Sequence, residues 1–321
     1  MKLQNIPIEN SIGAILVHNV IGADGRKALS KGRAIRAEDI AILRALGKTT
    51  VYVAMLDPTD GREDDAAARL ARAVAGDAVV PSTPSGGRVN FYPANPGFLR
   101  VDRERLKQIN ELQGVTLATI QNYSAIQPKK MIATLKTIGL ALPENTLREA
   151  EKIGATMSIA SVKNQNVAII LTGSENGKAK TQETFTPPIR ARVEELGARV
   201  VSESYVTENE SEIARAIESA IGAGAQLVII AGETSIMDAQ DITPRGIENA
   251  GGKIEVYGAP VEPGNLLLLA YRDGVPILGA PGCVKSRETN VVDLILPRLL
   301  MGERVTRADV NELAVGGLLI G

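Results

Sequence analysis

Apolar residues along the chain follow two rhythms, one helical and one strand-like, and their order sketches the fold. Residues 12–20 form an apolar, strand-like stretch, and Ile40, Leu43 and Leu46 recur at three-residue spacing, predicting a helix over 37–46. Gly47 ends that helix and 50–55 follows as a strand. Residues 63–75 read as an alanine-rich helix with Arg69 and Arg72 towards its C-terminal end, where cations suit the helix dipole. Past a loop at 81–87, rich in Pro, Ser and Gly, come a helix at 102–112, apolar runs at 115–120 and 131–138, and a helix at 147–153. A polar hinge at 163–165 closes this part.

From residue 167 the pattern becomes regular. Wholly apolar strands at 167–171 and 227–231 and a strand at 199–205 alternate with helices through 189–196, 213–222 and 242–250. Further strands fall at 254–257 and 275–278, and 291–300 is a last helix. Strands alternating with helices predict βαβ units, and short apolar strands suit a sheet covered on both faces. The expected class is α/β: a C-terminal three-layer α/β/α domain with a mainly parallel sheet over 164–321, preceded by small α+β segments at 1–76 and 77–163.

In such a sheet a ligand sits beyond the carboxyl ends of the strands, so three loops are the candidates. They are Thr172-Gly173-Ser174-Glu175; Gly232-Glu233-Thr234-Ser235, which runs on to Asp238 and Asp241; and Pro281-Gly282-Cys283, followed by Lys285, Ser286 and Arg287. Glycine lets backbone approach a ligand, and free amides at a helix start favour an anion. Two carboxylates three residues apart suit Mg²⁺ between them. The ordinary reading stands beside this one. Gly-Ser turns are common after strands, Thr243 and Pro244 suit a helix N-cap and first position, and Cys283 suits a small buried hydrophobe. His18 reads as a structural or surface histidine in an apolar strand.

Composition narrows the chemistry. A net charge of −1 attracts neither nucleic acid nor anionic lipid, and no run of about 18 apolar residues is present to span a bilayer. The first residues lack a secretory layout and the single cysteine precludes an intramolecular disulfide, so a cytoplasmic protein is expected. One His and no Trp leave carboxylates, hydroxyls, cations and backbone amides to do the work.

The second loop with Asp241-Ile242-Thr243-Pro244 resembles the signature of molybdopterin-binding domains. Pro260-Val261-Glu262-Pro263-Gly264-Asn265 and Gly279-Ala280-Pro281-Gly282-Cys283 resemble two further segments of the molybdenum-insertase branch, in the same order. The resemblance covers about 164–302; a looser likeness in the first segments includes Gly32, Glu38-Asp39-Ile40 and Gly47. It departs at Glu233, where the family usually has a second glycine, and at Val261 or Glu262 and at Asn265, where the insertases carry two lysines. A phosphate in the second loop would require Glu233 to point away or to bind metal.

The resemblance implies a protein that binds molybdopterin or its molybdenum form and acts in making or handling that cofactor. Molybdate insertion by a molybdotransferase-like activity is one reading, and a non-catalytic carrier, chaperone or sensor is the other. On the first, Asp238 and Asp241 hold Mg²⁺ or orient an activated phosphate, while Lys285 and Arg287 offset oxyanion charge. The implied partners are a molybdenum cofactor nucleotidyltransferase or an apo-molybdoenzyme, in a homo-oligomer. A generic hydrolase or nucleotide enzyme is disfavoured, since the chain has neither a Gly-x-Ser-x-Gly elbow nor a Walker loop.

Overall fold

The computed structural model describes residues 1–234 and 236–319. The chain divides into two compact units: Met1–Asn122 with Ile126–Ile159, and Tyr123–Ala125 with the chain from Ala160 onward.

The first unit contains two separate cores. In one, Thr50–Met55 is the middle strand between Lys2–Pro7 and Ile15–Leu16, both antiparallel to it. The helix Ala37–Ala45 buries Leu43 in a cluster with Leu16, Leu29, Ile35 and Val53. The single strand expected over 12–20 is instead two short ones, Ile15–Leu16 and Val20–Ile21. His18 and Asn19 break it, because the Asn19 side chain accepts the Lys31 amide at 2.9 Å and turns the chain into a separate ribbon with Lys27–Leu29. The other core lies beneath a four-stranded antiparallel sheet ordered Val115–Thr119, Ala133–Thr137, Arg88–Pro93, Val79–Pro81. Helix Glu63–Val74 feeds Ala66, Ala67, Leu70, Ala71 and Val74 into that core, the stripe an amphipathic helix requires.

The second unit is a three-layer α/β/α domain. Its elements are β1 (Asn166–Gly173), α1 (Lys178–Glu195), β2 (Arg199–Thr207), α2 (Glu210–Gly222), β3 (Leu227–Gly232), α3 (Ile242–Asn249), β4 (Lys253–Tyr257), β5 (Leu268–Arg272), β6 (Val275–Gly279), α4 (Val291–Leu300) and α5 (Arg307–Asn311). The six-stranded sheet runs β2-β1-β3-β6-β5-β4. The first four strands are mutually parallel, and β5 is antiparallel to both its neighbours. Along β1, Ala168 and Ile170 pack under α2 and α3, whose Ile213, Ile217 and Ile247 share their cluster, while the alternate residues Ile169 and Leu171 face the opposite layer, where α1 lies. Each large apolar side chain so buried contributes about 1.5–3 kcal/mol.

Two features differ from expectation. Helix α1 begins eleven residues before Ile189 and runs through Pro187 and Pro188, although each proline removes a backbone donor. Burial of Thr181, Phe185, Pro188, Ile189 and Arg192 along one stripe offsets that loss. β5 is an additional strand, joined to β6 by a two-residue turn at Asp273-Gly274 with φ of 49° and 87°. Positive φ at both positions is what a type I′ hairpin needs.

Arg192, 4% exposed, ties α1 to the chain that follows β6. Its guanidinium donates to the carbonyls of Val284 (2.9 Å), Ser286 (2.8 Å) and Glu288 (3.0 Å) and to Asp293 Oδ1 (2.8 Å). Asp293 Oδ2 in turn accepts the Asn290 amide, capping α4. One buried cation thus neutralises three carbonyls and a carboxylate. Replacing it by Met takes the guanidinium from all four acceptors, leaving Glu288 only Asn290 Nδ2 and Asp293 only the Asn290 amide, and the unfolding free energy should fall by about 3–5 kcal/mol. Urea unfolding of Arg192→Met beside Arg287→Ala, whose exposed ion pair is worth about 0–1 kcal/mol, checks this.

Candidate functional site

The parallel register carries β1, β3 and β6 to the same edge of the sheet. Thr172 stands opposite Gly232, and Ile230 opposite Gly279. The chain leaves β1 towards β2 on one side and returns to β3 on the other, so the edge between β1 and β3 is a topological switch point, where open α/β sheets take ligands. The strands touch too closely there for side chains. A Cβ at Gly232 would lie 2.1 Å from Thr172 Oγ1, and one at Gly279 would lie 2.9 Å from Ile236 Cδ1.

The first two loops meet through Glu233. Its Oε2 accepts the Ser174 amide and the Ser174 hydroxyl, each at 2.9 Å. Ser174 Oγ also accepts the Gly177 amide at 3.1 Å, closing the turn Glu175–Gly177 that leads into α1. A Cβ on Gly177 would stand 2.6 Å from Glu233 Oε2, so glycine there makes room for the carboxylate. Rather than pointing away, Glu233 reaches across to the first loop. The Ser174 amide and hydroxyl hold its carboxyl below the ordinary value of 4.5, and Lys180 adds to this. Tyr205, at the end of β2, donates to the Ser174 carbonyl at 2.7 Å, and Lys178 lies 5.6 Å from the centre of its ring. Burial raises the Tyr205 pKa, helped by Glu233, so its hydroxyl stays a donor. Thr234 donates to Glu208, in the loop after β2.

Asp238 and Asp241 shape the second loop and the start of α3. Asp241 is the N-cap: Oδ1 accepts the Ile242 amide at 3.0 Å and Oδ2 the Met237 amide at 3.1 Å. Asp238 Oδ1 accepts the Gln240 amide at 2.6 Å. The N-cap therefore lies two residues before Thr243, which sits in the first turn with Pro244. Among the described residues, no group of three or more His, Cys, Asp or Glu side chains is placed to hold a metal ion. Ser235 lies outside the described residues.

The third loop shares only its start with this edge. Pro281 precedes a short helical turn over Gly282–Lys285, in which Cys283 is half-buried and its thiol pKa raised by that burial. Past it, the chain follows α1 towards its C-terminal end, held by Arg192. Ser286 Oγ accepts the Glu288 amide, and Arg287 pairs with Glu195, the last residue of α1, at 2.7 Å. At about 1.5 Å rise per residue, Glu195 lies about 25 Å along the axis from Lys178, so Arg287 pairs at the end of α1 away from its first turn. The cations beside Ser174 are Lys178 and Lys180, which lie in the first turn of a helix with no acidic residue there. Such placement opposes the helix dipole unless an anion sits against it, and Glu233 supplies one.

Residues 168–301 match a protein family described as a probable molybdopterin binding domain. Outside that stretch, residues 5–55 match a family described as a domain of unknown function. No curated protein matches the chain. Among solved structures it resembles a molybdenum cofactor biosynthesis protein from Pyrococcus furiosus, at 15% identity over 97% of this chain and 65% of that one, with a TM-score of 0.26. A molybdopterin biosynthesis moea protein from Pyrococcus horikosii is similar at 16% identity over 94% and 75%, with a TM-score of 0.33. The molybdopterin biosynthesis enzyme MoaB from Thermus thermophilus is similar at 22% identity over 43% and 97%, with a TM-score of 0.33. The chain spans 65% of the length of the first of these. No helix among the described residues is long and apolar enough to cross a membrane.

The Glu233 bridge to Ser174 should open in acid. Because its carboxyl pKa is lowered by folding, its stabilisation is complete above the ordinary value of 4.5 and is lost as pH falls through the lower, folded value. The Ser174 amide resonance should therefore titrate below pH 4.5 in the native chain and lose that transition in Glu233→Gln. Asp241→Ala should cost about 1 kcal/mol as a lost helix cap, whereas Asp241→Asn should cost less, since it keeps one acceptor oxygen for the Ile242 amide but loses the one that meets Met237. Thermal unfolding of the two variants makes the comparison.

Proposed function

We propose that the chain binds molybdopterin or its molybdenum form at the edge between β1 and β3 and acts in making or handling that cofactor. The observation that carries this is the seating of Glu233. A carboxylate of the protein's own chain already occupies the donor set of Ser174, beside Lys178 and Lys180 at the head of α1. A site that holds one anion through an amide, a hydroxyl and nearby cations suits another, and the phosphate of molybdopterin is the anion that the domain's family calls for. Gly177 leaves space for it once Glu233 has moved, since a Cβ there would stand 2.6 Å from the position that Glu233 Oε2 now holds. The ligand's phosphate takes the place of Glu233, which swings out as it enters.

Carriage of the cofactor, rather than molybdate insertion, is favoured by the two aspartates. Asp241 spends both carboxylate oxygens on backbone amides and Asp238 spends one, so a Mg²⁺ ion would have to compete with the turn that shapes the loop. In this reading Thr172, Ser174 and Thr234 line the entry, and Glu175 and Glu208 repel a misplaced phosphate.

Calorimetric titration with molybdopterin, or with a stable phosphorylated pterin, tests the site. Glu233→Gly removes the internal anion and should tighten binding about tenfold, the equivalent of one charge-assisted hydrogen bond. Lys180→Gln should weaken it by a similar factor. Unchanged affinity in both variants would rule the edge out. Turnover of adenylylated molybdopterin with molybdate by the native chain would replace carriage with insertion.

A further inference from the structure

A second site lies in the first unit, inside the segment that matches the domain of unknown function, and it owes nothing to the pterin reading. A cavity of about 420 Å³ opens beside the three-stranded sheet. Its size falls in the lower part of the range of small-molecule pockets, about 300–1,000 Å³. Asn5, His18, Lys48, Thr50 and Tyr52 supply its polar lining, and Leu16, Leu43 and Val51 reach it from the apolar core.

The aromatic wall is built by the backbone. Asn5 stands directly opposite Tyr52 in the antiparallel register, and Ile15–Leu16 pairs with the other side of the same strand. The break after Leu16 brings His18 alongside, with its ring 14° from parallel to that of Tyr52 and the centroids 5.7 Å apart. Asn19 is anchored by the Lys31 amide, so the bend that carries His18 is fixed. Beside Lys48, elsewhere in the lining, Gly47 takes a φ of 71° to end the helix, and the Lys48 amide donates to the Leu43 carbonyl at 3.0 Å. That turn sets Lys48 on the cavity wall.

The charge of the lining selects among ligands. It contains one lysine and the chain's only histidine, and no acidic residue. A cation with no carboxylate beside it in the lining, next to flat rings and aliphatic carbons, suits a molecule with one anionic end and a planar apolar body. We propose that this cavity binds a small aromatic carboxylate of one or two rings, its carboxylate at Lys48 and its ring against His18 and Tyr52. Thr50 and Asn5 supply hydrogen bonds at the polar end.

The single histidine makes the test direct, because the imidazole signals in a ¹H–¹³C spectrum of the full chain belong to His18 alone. Titration with 2-naphthoate should shift them saturably, while 2-naphthylmethylamine, the same ring with opposite charge, should leave them in place. Lys48→Gln should weaken naphthoate binding about tenfold with an unchanged thermal transition, and Lys48→Arg should retain it. Equal responses to the carboxylate and the amine, an unmoved His18 signal, or full affinity in Lys48→Gln would overturn the proposal. A loss of folding in Lys48→Gln transfers the decision to Lys48→Arg and to the carboxylate–amine comparison, both of which stand without it.

Discussion

Strand β1 is the constraint on which the second unit depends. It has a parallel partner on each side and helices above and below, so neither its register nor its facing is free. A slip of one residue would turn Ile170 from the α2 side to the α1 side and Ile169 the other way, misplacing every apolar residue of the strand. The same register sets where the strand stops. Because Thr172 faces Gly232, the first and second loops leave the sheet side by side, and a glutamate in one can reach a serine in the other. The contact between Glu233 and Ser174 is therefore a product of core packing several residues away.

Arg192 does for the third loop what strand pairing does for the first two. The chain after β6 leaves the strand ladder past Ala280, and its carbonyls at Val284, Ser286 and Glu288 turn to the Arg192 guanidinium. A guanidinium presents its donors in a planar fork, which lysine cannot imitate. The tether also explains why this segment departs from the sheet edge: it follows the helix that holds it.

Much of the second unit was legible because buried parallel strands leave wholly apolar runs, and β1 and β3 are of that kind. Asp273-Gly274 carries a hairpin signal that the expected strands left unused, and β5 therefore lay hidden within the continuous run from Leu266 to Tyr271. Helix α1 was half legible: Pro187 and Pro188 suggest a start at that point, and only the burial of Phe185 and Thr181 beyond them keeps the helix going. Lys178 and Lys180 carried a readable signal, cations at the wrong end of a helix, whereas the role of Arg192 depends on carbonyls about a hundred residues away. The aspartates of the second loop could not be assigned from type and spacing. A carboxylate that caps a helix and one that binds a cation look alike until the neighbouring amides are in place.

The bridge between Glu233 and Ser174 has a kinetic meaning. An acceptor attached to the protein cannot be diluted away, so any anion from solution meets a competitor at a fixed effective concentration. The observed affinity is the intrinsic one multiplied by the fraction of molecules in which the bridge is open. The rate of capture inherits the same limit: at high ligand concentration it levels off at the rate of bridge opening. On the function proposed above, this arrangement turns away weak, casual phosphates, and only a ligand with further contacts along the edge gains enough to hold the carboxylate aside.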